Sequence, residues 1–356
     1  MLDPLFWKNR RVLITGHTGF KGGWLRIWLG TLGARVSGLS LDPSTTPNLF
    51  ELANVSNDLD HNKIIDLRIQ KNVHDALDII EPEIIFHLAA QPLVRQSYHD
   101  PVETYQTNIM GLVHLYEAIR STSSVNTIIN ITTDKCYENK EWDWGYREND
   151  PLGGRDPYSS SKSCAEIISQ AYRTSFFNDS SVSLATARAG NVLGGGDWAE
   201  DRLVPDILSA IAEGNQPTIR YPQATRPWQH VLDPLNGYLL LAERLYNDHS
   251  FSGAWNFGPT DQDNLNVAEI TELMLELYAS NVGWKSDHKE QPHEAHFLKL
   301  DCSKAANQLG WHPRWSCRQA LSAVVSWHKG YLAGENPSKL CLDQIALFNQ
   351  NTDESF

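Results

Sequence analysis

The chain is poor in cysteine, and the cysteines it has are badly placed for bridging. Cys136, Cys164, Cys302, Cys317 and Cys341 are the only five in 356 residues; they are scattered and include no CxxC pair. That excludes a disulfide framework and a thiolate zinc site, and a reducing cytoplasm is the expected compartment. No apolar run reaches membrane-spanning length, and none precedes the first strand in MLDPLFWKNRRVLITG. Neither a transmembrane helix nor a signal peptide is therefore expected. Positive charge is also short: 30 Lys and Arg against 43 Asp and Glu leave a net charge of −13. Such a balance argues against nucleic acid or a membrane as a partner, but leaves room for a local basic pocket. The 13 histidines form no HxxxH or HExxH, so no catalytic metal is expected.

What is present is an ordinary globular composition, 41% hydrophobic and 21% charged. Apolar runs read as strands in RVLITG (11–16), RVSGLSL, NKIIDL, EIIFHLAA (83–90), NTIINITT and SLATARAGNV. Helical patterns fall between them: KGGWLRIWLGTLG, closed by Gly33, and roughly 70–80, 101–121 and 158–176. Strands alternating with helices predict an α/β fold with a doubly wound (Rossmann) parallel sheet, its strands covered on both faces. After residue 185 the pattern loosens into the Gly-rich NVLGGGDWAEDR and helices in LVPDILSAIAEG, 230–245, TELMLELYAS, SKAANQLGW and 317–333. The expected organisation is a Rossmann domain over 1–185 with a returning segment at about 228–250, interleaved with a smaller C-terminal substrate lobe over 186–356.

Gly16-His17-Thr18-Gly19-Phe20-Lys21-Gly22 is a GxxGxxG loop between a strand and a helix. Glycines there permit a tight turn and close backbone approach, and the helix N-terminus offers free N–H groups to a pyrophosphate. A dinucleotide site follows. Ser40 and Asp42 are candidates for the ribose, though neither sits cleanly at the usual place. From Val36 to Asp60 there is no Lys or Arg to receive a 2′-phosphate, which favours NAD over NADP. Asp66 and Leu67 are placed for the adenine. Leu88, Ala89 and Ala90 end the fourth strand and either line a flat cofactor or belong to ordinary core.

Tyr158 and Lys162 make a YxxxK on a predicted helix, where residues four apart share a face. An ammonium beside a phenol lowers its pKa toward neutrality, so Tyr158 could take a hydroxyl proton while a nicotinamide takes hydride from the same carbon. Thr132 and Thr133 close the fifth strand and lead into Asp134 and Lys135. An acid and a base side by side at a strand end are either an exposed ion pair or part of an active site.

With these pieces assembled, the chain resembles the nucleotide-sugar 4,6-dehydratases, an extended short-chain dehydrogenase/reductase family, over nearly all its length. The resemblance is carried by GHTGFKG, DLR, FHLAAQ, TNIMGL, TTDKCY, YSSSK, RAGNVLGGGDW, RPWQHVLD, NFGP and LDCSKAANQLGW. His17, Lys21 and Lys135 depart from the common pattern and are similar to the branch that acts on CDP-D-glucose. The resemblance implies oxidation of carbon 4, elimination of water across carbons 5 and 6, and return of hydride to carbon 6, with NAD regenerated. It makes Asp134 the acid of the elimination. Lys135 then serves either as a neutral base, its pKa depressed by burial or a nearby cation, or as a cation steadying the enolate. Asn108 resembles the Asn that holds the catalytic geometry. Asn191, Arg202, Leu203, Arg226 and Asn256 fall where relatives bind the nucleotide diphosphate, and Gln91 and His296, with Glu294, are further substrate-side candidates. The helices at 101–121 and 158–176 resemble a dimerising pair, implying a homodimer or homotetramer, and the pathway suggested is 3,6-dideoxyhexose synthesis for a lipopolysaccharide O-antigen. Two other readings share the Gly loop, Thr133, Tyr158 and Lys162: a nucleotide-sugar 4-epimerase and a non-catalytic NAD-binding scaffold.

Overall fold

The structure is a computed structural model that describes residues 2–263, 265–287 and 297–350. Its centre is a seven-stranded parallel sheet in the order β10-β6-β5-β4-β1-β2-β3. The strands are β1 (Arg11–Thr15), β2 (Arg35–Ser40), β3 (Asn62–Ile64), β4 (Ile84–His87), β5 (Thr127–Ile131), β6 (Ser183–Ala189) and β10 (Gly253–Phe257). Four short strands form two separate pairs: β7 (Asn191–Leu193) with β9 (Trp228–His230), and β8 (Thr218–Ile219) with β11 (Lys285–Ser286). The helices are α1 (Pro4–Trp7), α2 (Phe20–Thr31), α3 (Leu49–Leu52), α4 (Gln70–Ile80), α5 (Val94–His99), α6 (Pro101–Tyr105), α7 (Gly111–Arg120) and α8 (Pro157–Tyr172). They continue with α9 (Leu203–Ala212), α10 (Leu232–Asn247), α11 (Val267–Tyr278), α12 (Cys317–Leu332) and α13 (Pro337–Gln350).

Strand order reverses between β1 and β4, and such a switch point opens a crevice at the carboxyl ends of the strands. All five residues of β5 and all seven of β6 are buried, as continuous apolar runs between two helical layers require. One layer packs Trp24, Trp28 and the leucines of α10 against the sheet; the other packs α4, α7 and Ala165 of α8. A third hydrophobic cluster is built from α9, α11 and α12.

Three departures from the sequence pattern shape the site. The run SLATARAGNV is two strands, because Gly190 breaks it: a Cβ there would lie 2.4 Å from Pro227 Cγ and 3.1 Å from Asp134 Oδ2. The predicted helix at 101–121 contains one π-turn, Gln106–Met110, with the buried Asn108 inside it. Finally, the returning segment extends past α10 into β10, which pairs with β6 at the sheet edge. Helix α13, outside the predicted elements, packs Phe348 edge-on against Trp28 and Trp315.

Candidate active site

The crevice at the strand ends is a continuous cleft of roughly 1720 Å³. Its first wall is the Gly loop. Gly16 has φ +78°, and a Cβ on it would lie 2.7 Å from Ala89 N; one on Gly22 would lie 2.1 Å from Gly16 O. These two glycines fit the loop against its own backbone and against β4. Gly19 differs: a Cβ on it would meet nothing nearer than Gly16 O at 3.4 Å. It caps α2 with no side-chain hydrogen bond, so the helix N-terminus is bare where the loop faces the cleft. A bare N-terminus beside a loop that only small residues can form suits a pyrophosphate. Gly16, Thr18, Gly19, Phe20, Lys21, Gly22, Ser40, Asp42, Asp66, Leu67, Leu88, Ala89, Ala90 and Thr132 all line this part of the cleft. Thr18 Oγ1 bonds Ser40 Oγ at 2.7 Å and donates to Leu41 O at 2.9 Å, tying the loop to β2. The Asp66 carboxylate is held by Arg68, which keeps it below the usual carboxylate range.

His17 does not line the cleft. Its ring is fully buried over Gly38, where a Cβ would lie 2.3 Å from His17 Cγ, and its Nε2 bonds Asn62 Oδ1 at 2.8 Å. Burial holds it neutral by lowering its pKa. Asn108 is likewise not in the lining: the π-turn points it inward, where Oδ1 accepts from Gln91 N (2.8 Å) and Nδ2 donates to Ser161 Oγ (2.8 Å). It joins the loop after β4 to α8. Gln91 lines the cleft, but its amide bonds Leu93 and Thr104.

Thr133, Asp134, Lys135, Tyr158 and Lys162 meet at the end of β5. Asp156 caps α8 by accepting from Ser159 N at 2.8 Å, with Pro157 as first helical residue, which fixes where Tyr158 starts. Lys162 is 7% exposed and donates to Ile131 O at 3.2 Å. Burial pulls it down to about 8, opposed by Glu166. The Tyr158 phenol is pushed up to about 12 by burial, against a hydrogen bond from Thr133 and the charge of Arg202. A near-neutral phenol, expected from YxxxK, is thus not produced by the protein's own groups. Asp134 is 2% exposed, and burial raises its carboxyl above the usual range despite Lys135, Thr133 and Arg226 nearby. Its Oδ1 accepts from Thr133 Oγ1 at 3.0 Å, while Oδ2 has no hydrogen-bond partner among the described residues. Lys135 is half-buried in the wall.

Cations dominate the far side. Lys21 is pulled down to about 7 by burial and by Arg202 and Lys162, so the Gly loop sends a side chain toward Lys162 and Asp134 as well as lining the cleft. Arg202, at the start of α9, is paired to Asp197 at 2.8 Å. Arg226 is 3% exposed and close enough to Asp134 to lower its carboxyl. Asn191 and Leu203 line the same wall. Guanidinium forks converging on one wall suit a diphosphate. Asn256 is not there: it is fully buried, accepting from Tyr137 Oη (2.7 Å) and donating to Tyr146 O and Asp301 O. Its amide satisfies main-chain carbonyls of two segments, at Tyr146 and Asp301, that cross beside β10. His296 and Glu294 lie outside the described residues.

Sequence reasoning missed Asp197, although it stands five residues before Arg202, and missed a buried ion pair behind β5. There Arg188 NH2 donates to Glu166 Oε2 at 2.7 Å, with both side chains 3% exposed. The spacing of Glu166 four residues after Lys162 was the available signal.

The GDP-mannose 4,6 dehydratase family profile matches residues 13–324. The CDP-glucose 4,6-dehydratase of Salmonella typhimurium is 52% identical over 94% of this chain and 95% of its own. Among solved structures, a UDP-glucose 4-epimerase of Thermotoga maritima with UDP-glucose superposes with a TM-score of 0.80 at 21% identity, covering 90% of this chain and 99% of its own. A dTDP-glucose 4,6-dehydratase of Bacillus anthracis in complex with NAD gives a TM-score of 0.76 at 19% identity, covering 92% and 99%. At those identities the superpositions establish the fold.

Proposed function

The chain belongs to the GDP-mannose 4,6 dehydratase family, and from that premise we propose that it converts CDP-D-glucose to CDP-4-keto-6-deoxy-D-glucose and water, using NAD. The observation that carries this reading is Asp134, a buried carboxyl with a raised pKa and one unpartnered oxygen, its other oxygen accepting from Thr133 in the cleft that Tyr158 also lines. A 4-epimerase has no step that needs a proton donor there; loss of a hydroxyl as water does. The choice of CDP-D-glucose is supported by the 52% identical relative.

NAD, held by the Gly loop and the strand ends, supplies a hydride acceptor that later returns the hydride. Tyr158 takes the proton of the carbon 4 hydroxyl as that carbon is oxidised, with Thr133 and Lys162 fixing the phenol. Asp134 then gives its proton to the carbon 6 hydroxyl, which leaves as water. Lys135 either removes the carbon 5 proton or steadies the enolate as a cation, leaving Tyr158 or water to take that proton. A proton delivered to carbon 5 and hydride to carbon 6 complete the product. Arg202 and Arg226 hold the diphosphate.

Mass spectrometry of products from CDP-, dTDP-, GDP- and UDP-sugars tests the reading. The expected result is loss of one water from CDP-D-glucose. Unchanged mass with altered stereochemistry would make the chain an epimerase, and no change with any sugar would favour the scaffold. The reading includes a cytoplasmic homo-oligomer serving O-antigen deoxysugar synthesis. Five free cysteines support the compartment. Val102 (62% exposed), Met110 (45%), Ile167 (54%) and Phe176 (45%) on and beside α6, α7 and α8 support a helical dimer face. Sedimentation of a monomer at micromolar concentration would remove that part.

A further inference from the structure

Lys162 and Glu166 lie four residues apart on α8, and both reach the same strand end. Lys162 Nζ donates to the carbonyl of Ile131, the last residue of β5, at 3.2 Å. Glu166 Oε1 accepts from the hydroxyl of Thr132, the next residue. Its other oxygen accepts from Thr186 Oγ1 and Arg188 NH2, each at 2.7 Å. Glu166 is 4% exposed, yet Arg188 and these hydrogen bonds hold its carboxyl below the usual range.

The other groups around this pair do not replace that charge. Lys21, from the Gly loop, and Lys162 oppose each other. His87, at the end of β4, is pushed down to about 3 by burial and stays neutral. The Cys136 thiol, after β5, is raised well above its ordinary value by burial and is also neutral. Around Glu166 stand Arg188 of β6, Arg173 after α8, Tyr116 of α7 and Cys136.

We propose that Glu166 is a positioning residue for the carbon 4 oxidation: its fixed carboxylate keeps the Lys162 ammonium charged and seated at the end of β5, a place too dry to keep a lone ammonium. Burial takes Lys162 down to about 8, with Glu166 the largest opposing influence. Without that anion the amine crosses to its neutral form within the working range and no longer brings a positive charge to the helix face it shares with Tyr158.

Glu166→Gln tests this. Glu166→Gln/Arg188→Met is its companion, leaving no unpaired buried guanidinium if the single variant fails to fold. The first readout needs no turnover: the Lys162 side-chain carbon resonance in 13C-lysine protein, assigned by its loss in Lys162→Met and followed against pH. The expected midpoint lies about one pH unit below that of the parent. The second readout is the rate of cofactor reduction on adding CDP-D-glucose, which rests on the proposed function. There the variant-to-parent ratio is expected to fall roughly fivefold between pH 6.5 and 8.5. A folded variant whose midpoint does not move overturns the proposal, as does a rate loss that is the same at every pH. Thr186→Val removes one hydrogen bond from the carboxylate but not its charge, and is expected to leave the midpoint in place. A shift as large as that of Glu166→Gln would show that packing is the cause. If CDP-D-glucose is not a substrate, the functional reading fails while the titration still decides the role of Glu166.

Discussion

Two carboxyl groups are buried near the end of β5, and the protein treats them in opposite ways. Glu166, behind the strand, is met by Arg188, Thr132 and Thr186, and its carboxyl is held low. Asp134, in the cleft before the strand, keeps one oxygen without a partner among the described residues, and its carboxyl is raised. Burial is nearly equal, 4% and 2% exposed, so it does not decide between them. What decides is whether the fold supplies donors. A fully partnered carboxylate is a permanent charge; a buried one left short of donors holds its proton more readily. The seam behind β5 therefore carries a fixed charge that steadies the fold and its neighbours, and the cleft in front a carboxyl that can pass a proton on.

Variants that separate stability from turnover sharpen this contrast. Gly19→Val adds bulk where the protein itself has room. It is expected to abolish turnover and cofactor retention while leaving the thermal midpoint of cofactor-free protein within a degree or two; a large loss of stability would mean that the loop needs Gly19 for folding. Tyr158→Phe is expected to slow cofactor reduction by about 10³-fold, with little change in stability. Arg188→Met strands the Glu166 charge and is expected to cost about 3 kcal/mol in denaturant unfolding. If it costs nothing, the seam is not the stabilising side. Asp134→Asn and Lys135→Met should each lower 4-keto-6-deoxy product about 10²-fold while bound cofactor still becomes reduced on adding substrate. Asp134→Asn should also leave stability unchanged or raised, because it removes a poorly satisfied buried acid. If Lys135→Met stops cofactor reduction instead, Lys135 belongs to the oxidation.

The smallest effect is on pH. Burial lowers His87 and His230 from 6.5 to about 3. Both stay neutral in the fold while the unfolded chain takes up protons, so stability is full above pH 6.5 and falls below it. Between pH 7 and 5.5 the loss is about 1 kcal/mol for each histidine, measurable by urea unfolding. A flat profile over that range would show both rings to be open to solvent.

Much of this architecture was legible in the chain. Apolar runs marked β1, β2, β4 and β5, because strands covered on both faces have little polar alternation to obscure them, while the edge strand β3 showed only through the Ile-Ile at its end. That the Gly loop, YxxxK and TTDK would share one cleft was legible because each is a short run of neighbouring residues at a strand end or helix start. What failed depends on side-chain direction. His17 sits among cofactor-loop residues, but its ring turns into the gap above Gly38. Asn256 belongs to NFGP, read as a substrate motif, yet faces the interior because GAWNF is a sheet strand. That strand is five residues long and begins with Gly-Ala, too little pattern to stand out. The pairing of Glu166 with Arg188 joins positions 22 apart through β6, a neighbour that only the folded sheet supplies.

The placement of β10 beside β6 sets a timetable for the chain's synthesis. The first six strands of the sheet are complete once residue 189 has left the ribosome, but the outer edge of β6 gains its neighbour only when 253–257 emerge. Until then a strand that is wholly buried in the finished fold presents an open row of backbone donors and acceptors, the kind of template on which nascent chains join one another. A product truncated near residue 190 would keep that edge permanently. The sheet is thus closed not by the segment that builds its first six strands but by one that emerges more than sixty residues later.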